Sequence, residues 1–342
     1  MGAGHQGLAM AAHLSDNGVE CSLWNRSKEH IKQVMRTGKI DCTGIIHKSV
    51  PVRHVSDQLG ELMQKVIMVT TPSTAHRNIA RLLAPYVDSS NIIILHPGRT
   101  FGVLDFLRTL KSCGCRSMPL VAEAQTIIYT CRRDTSNGVK LFALKSGVKI
   151  GALTWEDACK VMDYIPTCIR ERFEPVSSYM QTSLENVGMI LHCAPVLMNV
   201  GWIENRETAF EYYYSGISPT IASLLERLDQ ERIQVADAMG YKIESISEWL
   251  IRTYGTYGEN LFELLQNNTY YRGIDAPLTI HHRYIEEDIP NGLVALESVG
   301  KSRQVNTPIA STIIDFANQV MRRDFRAMGR NYLQLIRELG ME

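Results

Sequence analysis

Two rhythms of apolar positions divide this chain. Residues 5–17 put Leu8, Ala11 and Ala12 on one face of a helix. Glu20 to Trp24 reads as a strand, and Ser27 is positioned to cap the helix that follows. Val66 to Thr70 and Asn91 to Leu95 are apolar, β-rich runs, each followed by a turn and a helical pattern, as buried parallel strands are. From Pro119 to Leu153 the pattern becomes strand-rich with little helix. Alternating strand and helix predicts an α/β fold with a Rossmann-type doubly wound parallel sheet. After Glu174 the spacing turns helical, most clearly over Ile217 to Met239, where Ile221, Leu224, Leu225 and Leu228 share a face. Helical patterning then continues to Leu339. The reading is a Rossmann domain over 1–172 and an all-α domain over 173–342.

Composition narrows the function classes. At 342 residues the chain is long enough for two substantial cores. Formal net charge is zero and there is no long charge run, so there is no electrostatic footprint for nucleic acid. The eight cysteines include no C-x-x-C pair, which argues against zinc and fits a reducing cytoplasm. Residues 186–203 carry no formal charge, but Asn186, His192, Pro195 and Asn199 interrupt them. The expectation there is a buried helix lining a site rather than a membrane span.

The chain opens with Gly2-Ala3-Gly4-His5-Gln6-Gly7. Gly2 permits the tight turn, Gly4 lets a pyrophosphate approach the backbone, and Gly7 lets the helix pack close to the sheet. Amides at the helix start then face the phosphates. The motif requires a strand before Gly2, so the expectation is a natural start upstream of Met1 and a first strand missing from the chain as given. The next strand ends in Asn25-Arg26-Ser27, where NAD enzymes often carry an acidic residue. A guanidinium there suits a 2′-phosphate, which favours NADP(H), with NAD(H) as the alternative. Thr71 and Pro72 follow another predicted strand and are assigned to the cofactor with His5 and Gln6.

His96-Pro97-Gly98-Arg99-Thr100 and Glu123-Ala124-Gln125-Thr126 also follow predicted strands, at the sheet's carboxyl edge where ligands sit. Gln125 and Thr126 are candidates for a keto-acid oxygen. These segments, the glycine loop, Asn25-Arg26-Ser27, His192 and Arg283-Tyr284-Ile285-Glu286-Glu287-Asp288-Ile289-Pro290 resemble the octopine/nopaline (opine) dehydrogenase family over essentially the whole chain. The resemblance implies an N-terminal Rossmann domain and a helical substrate domain. It implies reductive condensation of an amino acid with a 2-oxo acid, driven by NADH or NADPH. It also implies a catalytic His192, a partnering Asp288 and a substrate-binding Arg283. The family pattern often has Asn where this chain has His96, and Gly where it has Phe101.

The residue types suit that chemistry in their own right. Reducing an imine or carbonyl needs a proton donor beside the developing charge, and histidine serves near neutral pH. A carboxylate on its far nitrogen fixes the tautomer. Arginine holds a carboxylate by two parallel bonds. A lone histidine on an apolar helix is otherwise a satisfied core residue, and Asp288 near Pro290 is otherwise a turn residue. His281 and His282 with Glu286 or Glu287 match no strong metal-ligand spacing, so no metal is assigned. Partners are thus an amino acid and a 2-oxo acid, with no nucleic acid and no membrane; a homodimer is compatible with this reading. Two other readings stay open: a ketopantoate-reductase-like or glycerol-3-phosphate-dehydrogenase-like reductase, and a non-catalytic nucleotide sensor.

Overall fold

The computed structural model describes residues 1–205 and 209–341. Contacts divide them into two units, Met1–Thr182 and Ser183–Glu342. The strands of the first unit are β1 (Ser22–Trp24), β2 (Lys39–Gly44), β3 (Lys48–Pro51), β4 (His54–Ser56), β5 (Val66–Val69), β6 (Ile92–Leu95), β7 (Leu120–Ala124), β8 (Tyr129–Arg133), β9 (Gly138–Leu144), β10 (Val148–Gly151) and β11 (Phe173–Pro175). Its helices are α1 (His5–Asp16), α2 (Lys28–Thr37), α3 (His76–Leu83), α4 (Gly102–Ser112), α5 (Trp155–Tyr164) and α6 (Thr167–Arg170).

Parallel strands β5, β6 and β7 form the heart of one sheet, which β10 and β11 extend in the order β11-β10-β7-β6-β5. All four residues of β6 are buried, as an apolar run inside a covered parallel sheet should be. Because β11 pairs with β10, Phe173–Pro175 belong to the first unit. The division therefore falls after Thr182, ten residues beyond the boundary read from the change of period.

A second sheet, β3-β2-β9-β8, covers the other side of α1. That helix is consequently buried nearly all round, from Leu8 through Ala12 and at Leu14, rather than on one face. The chain start is tied into the fold by its backbone: the Met1 amine donates to the Met68 carbonyl at 2.6 Å, the Thr70 amide to the Met1 carbonyl at 2.9 Å, and the Gly2 amide to the Trp24 carbonyl at 2.9 Å. A cavity of about 330 Å³ beside this segment is lined by Leu23, Ile67 and Met68 from the strands and by Met10, Ala11 and Leu14 from α1.

The second unit is helical: α7 (Tyr179–Leu184) leads into α8 (Gly188–Leu191), α9 (Cys193–Met198), α10 (Val200–Ile203), α11 (Pro219–Ala238), α12 (Ile246–Tyr254), α13 (Leu261–Gln266), α14 (Arg283–Glu286), α15 (Val294–Ser302), α16 (Pro308–Met321), α17 (Phe325–Met328) and α18 (Tyr332–Leu339). Helix α11 starts with Ser218 as its cap and Pro219 in its first turn, the preferred chemistry at a helix start. It buries Ala222, Leu225, Leu228 and Val235, while the expected face residues Ile221 and Leu224 are half-buried. Its buried Arg232 is fully engaged: it pairs with Asp229 and donates to the carbonyls of Leu184 and Glu244. Removing one partner of such a pair costs about 3–5 kcal/mol.

Residues 186–203 are not the single helix expected of them. They form α8, α9 and α10, with the first break at His192. Pro195 has no amide to donate back to Leu191, so the α-helical ladder cannot run through. The Tyr212 hydroxyl donates to that Leu191 carbonyl at 3.1 Å and to the His192 carbonyl at 2.8 Å. Among the described residues no helix is long and apolar enough to cross a membrane.

Candidate active site

In the first unit, the glycines behave as their positions require. Gly2 has φ +95°, a backbone conformation that favours glycine. A methyl group on Gly7 would stand 1.7 Å from the Gly2 carbonyl oxygen, so α1 and the loop can approach only with glycine there. A methyl group on Gly4 would meet nothing within 4 Å. That open face at the start of α1 is where an anionic group can reach the helix amides. Two buried oxygens of the assigned set, Gln6 Oε1 and Thr71 Oγ1, have no hydrogen-bond partner among the described residues. The loop, its open face and these acceptors fit a dinucleotide.

The end of β1 is built into the same corner. Asn25 Oδ1 accepts from the Ala3 amide at 3.0 Å, while its Nδ2 donates to the Ser27 carbonyl at 3.0 Å. Arg26 is exposed. Ser27 occupies the cap position of α2, but its side chain makes no capping bond, contrary to expectation. Its carbonyl is instead taken by Asn25, which serves the loop rather than the helix. Pro72 leads from β5 into a short turn at Ser73–Ala75. Gln125, buried, and Thr126, half-buried, follow the carboxyl end of β7, and Gln125 donates its amide to the Lys149 carbonyl at 2.9 Å.

His96 lies after β6, fully buried, with neither ring nitrogen hydrogen-bonded among the described residues. Burial pushes its pKa down to about 3. It packs at a tilt on Phe173, so the ring acts as a neutral, space-filling group. Nearby, Glu123 was missed as a candidate. Its Oε1 accepts from the Thr182 hydroxyl at 2.8 Å and its Oε2 from the Val103 amide at 2.9 Å, at the start of α4. A carboxylate is well placed at a helix N-terminus.

In the second unit, the structure brings His192, Asp288 and Arg283 together around a residue that sequence reasoning did not single out, Tyr284. His192 Nδ1 donates to Asp288 Oδ2 at 2.7 Å. The Asp288 side chain is 0% exposed and that of His192 12%. A carboxylate only accepts, so the Nδ1–H tautomer is selected and Nε2 is the nitrogen on the far side. Asp288 is delivered by a wide helical turn over Ile289–Leu293, irregular at Asn291, a departure of the kind common at functional sites. The Tyr284 ring lies flat on the imidazole, centroids 3.9 Å apart and planes 10° apart. His192 is therefore fixed at three points: by Asp288 at its edge, by Tyr284 on its face, and by Tyr212 at its carbonyl.

Arg283 sits beside this stack, its guanidinium 5.9 Å from the Tyr284 ring centre. It is 46% exposed, and its Nε lies 3.8 Å from the Glu287 carboxylate. The aromatic layer continues through Tyr212, Tyr213 and Tyr271, the last two stacked at 4.0 Å. Burial pushes all three phenols well above their ordinary pKa, so they remain neutral donors. His282 caps α14, and burial, with the neighbouring charges of Arg283 and His192, lowers its pKa. Among the described residues no group of three or more metal-ligating side chains is assembled.

A dinucleotide loop on a parallel sheet, together with an oriented imidazole and an exposed guanidinium beside it, defines the class: a nicotinamide-dependent dehydrogenase. Family comparison agrees by region. Residues 175–321 match the family described as NAD/NADP octopine/nopaline dehydrogenase, alpha-helical domain, and residues 1–131 match ketopantoate reductase PanE/ApbA. The opine dehydrogenase of Arthrobacter sp. (strain 1C) is 31% identical over 338 residues, 98% of this chain and 93% of that protein. The octopine dehydrogenase of Pecten maximus is 23% identical over 77% of this chain and 72% of its own. Among solved structures, octopine dehydrogenase in complex with NADH and agmatine superposes with a TM-score of 0.79 at 16% identity, over 98% of this chain and 94% of that one. NADP+-bound yersinopine dehydrogenase gives 0.75 at 14% identity, over 99% and 96%. The chain belongs to the opine dehydrogenase family.

Proposed function

We propose that this protein reductively condenses an amino acid with a 2-oxo acid, with the catalytic pair His192–Asp288 in the helical unit and the dinucleotide held by the first unit. The bound cofactor supplies hydride to the imine carbon. His192 Nε2 exchanges the proton with the reacting nitrogen or oxygen, Asp288 holds the tautomer and offsets the imidazolium charge, and Arg283 grips a substrate carboxylate. Gln125 and Thr126 contact the oxo acid. The 2.7 Å His192–Asp288 contact, with Tyr284 stacked on the imidazole, carries this reading. A non-catalytic sensor has no use for a proton relay. The assay is NADPH oxidation with amino acids screened against pyruvate and related oxo acids. Oxidation that requires the amine supports the proposal; equal rates without amine favour simple carbonyl reduction, the reading suggested by the ketopantoate reductase match of residues 1–131.

For the cofactor, the reading favours NADP(H), because Arg26 follows β1, is exposed and makes no ion pair among the described residues. Arg26→Glu should weaken NADPH binding roughly tenfold or more, by loss of a charge-assisted bond, while changing NADH little. Equal losses on titration with both cofactors would remove Arg26 from the 2′-phosphate. A reducing, cytoplasmic setting belongs to the same reading, supported by eight cysteines that are all free thiols.

A further inference from the structure

Arg133 ends strand β8, outside the βαβ segment that carries the glycine loop, yet its side chain reaches that loop. Nη1 donates to the Ala3 carbonyl at 3.2 Å. Nη2 donates to the His30 carbonyl at 3.0 Å and to the Ser136 carbonyl, and Nε to the Thr135 carbonyl at 3.1 Å. His30, in the first turn of α2, also brings its Nε2 against Nη1 and within 3.1 Å of the Ala3 carbonyl. A guanidinium cannot accept, so a bond from Nη1 uses the Nε2 lone pair, and the same nitrogen cannot then donate to the Ala3 carbonyl. Burial and the Arg133 charge both lower the His30 pKa, in the same sense.

Every carbonyl partner of Arg133 is thus neutral, and no carboxylate pairs with it among the described residues. Burial lowers its own pKa, which registers the cost of a half-buried cation without a counter-ion. A fully buried arginine is ordinarily paired, as Arg232 in the second unit is with Asp229; Arg133 is half-buried and holds only carbonyls and an imidazole. The unpaired charge stands one residue from Gly4, whose open face fits a pyrophosphate, and in the corner where Asn25 meets Ala3. A neutral loop needs no guanidinium, whereas phosphate oxygens beside it do.

We propose that Arg133 is a phosphate-binding residue of the dinucleotide site, contributed by the second sheet. Its ligand is a phosphate group of the nicotinamide dinucleotide, either the pyrophosphate or the adenosine 2′-phosphate. When a phosphate arrives, the guanidinium exchanges part of its carbonyl contacts for charge-assisted ones, which are about twice as strong. This inference rests on the glycine loop being the cofactor site.

The test is direct titration of NADPH and NADH, followed by nucleotide fluorescence, with wild type, Arg133→Met, Arg133→Gln, Arg133→Lys and Gly4→Val. The Met and Gln variants should lose roughly ten- to hundredfold in affinity, the range for a hydrogen bond to a charged group. The Lys variant keeps the charge and should stay within a few-fold of wild type. Loss confined to NADPH assigns Arg133 to the 2′-phosphate; equal loss for both assigns it to the pyrophosphate. Unchanged affinity for both cofactors in a folded Met or Gln variant overturns the proposal. So does a Lys variant as weak as Met, because that marks an arginine that only braces loop carbonyls. If Gly4→Val still binds both cofactors normally, the glycine-loop reading itself fails, and the proposal with it.

Discussion

In the proposed function the two units do different work with different parts of the polypeptide. In the first, the proposed binding surface is mostly backbone: glycines bare the amides at the start of α1, and Asn25 pins the loop by accepting from the Ala3 amide. In the second it is side chains, an imidazole clamped by a carboxylate, a phenol ring and a phenol hydroxyl. Backbone sites tolerate varied side chains but not added Cβ atoms. Side-chain sites tolerate irregular backbone, as at His192 and Asn291, but not a change of functional group. Catalysis and binding should therefore fail separately when each unit is altered.

The largest effect belongs to the side-chain site. Asp288→Asn keeps the shape but offers Nδ1 the wrong partner, and turnover should fall by roughly 10²–10⁴-fold. Cofactor affinity, measured by titration, should stay within a factor of about two if binding and proton transfer are carried separately. A parallel collapse of both would break the comparison.

Next in size is the backbone site. Gly7→Ala forces a methyl group against the Gly2 carbonyl, and overpacking of this kind costs about 1–3 kcal/mol. NAD(P)H binding should weaken roughly 5- to 150-fold by that arithmetic. Turnover at saturating cofactor should largely survive. A variant with normal affinity and poor turnover would show that the loop's role is not binding.

A smaller effect tests the frame of the helical unit alone. Glu297 accepts from both Nε and Nη2 of Arg326, from Lys301 and from Ser311, joining α15 to α16 and α17. Burial pushes its pKa up, but those donors outweigh burial and bring it down to about 2. A depressed carboxyl stabilises the fold above its unfolded value, and that stability is lost as pH falls from about 4.5 toward 2. Glu297→Gln should cost roughly 1–3 kcal/mol at pH 7, with the gap to wild type closing below pH ~4.5 in denaturant titrations. A gap independent of pH would mean that packing, not charge, holds these helices together.

The same contrast explains what could be read from the chain alone. The glycine loop and strands β5 and β6 were legible because their signals are local: glycines at fixed offsets and unbroken apolar runs. The sheet β3-β2-β9-β8 was not, because it joins β2 to β9 across about a hundred residues. Arg133 was invisible for that reason: only this pairing brings it to a loop 130 positions earlier in the chain. In the helical unit, His192, Asp288 and Arg283 were legible as motif residues, but their framework was not. No spacing rule says that Tyr284 will stack on His192, or that Tyr212 will satisfy the carbonyl that Pro195 leaves without a donor. The expected helix over 186–203 broke at His192, three residues before that proline.

The most direct test of the central claim is a double-mutant cycle on His192 and Asp288, read as amine-dependent NAD(P)H oxidation by purified, folded variants. If the two residues act as one proton relay, His192→Ala lowers turnover by roughly 10²–10⁴-fold and adding Asp288→Asn to it does little more, because coupled residues are not additive. Near-normal turnover in His192→Ala, or losses that simply multiply in the double variant, would contradict the relay and return His192 to the helical core.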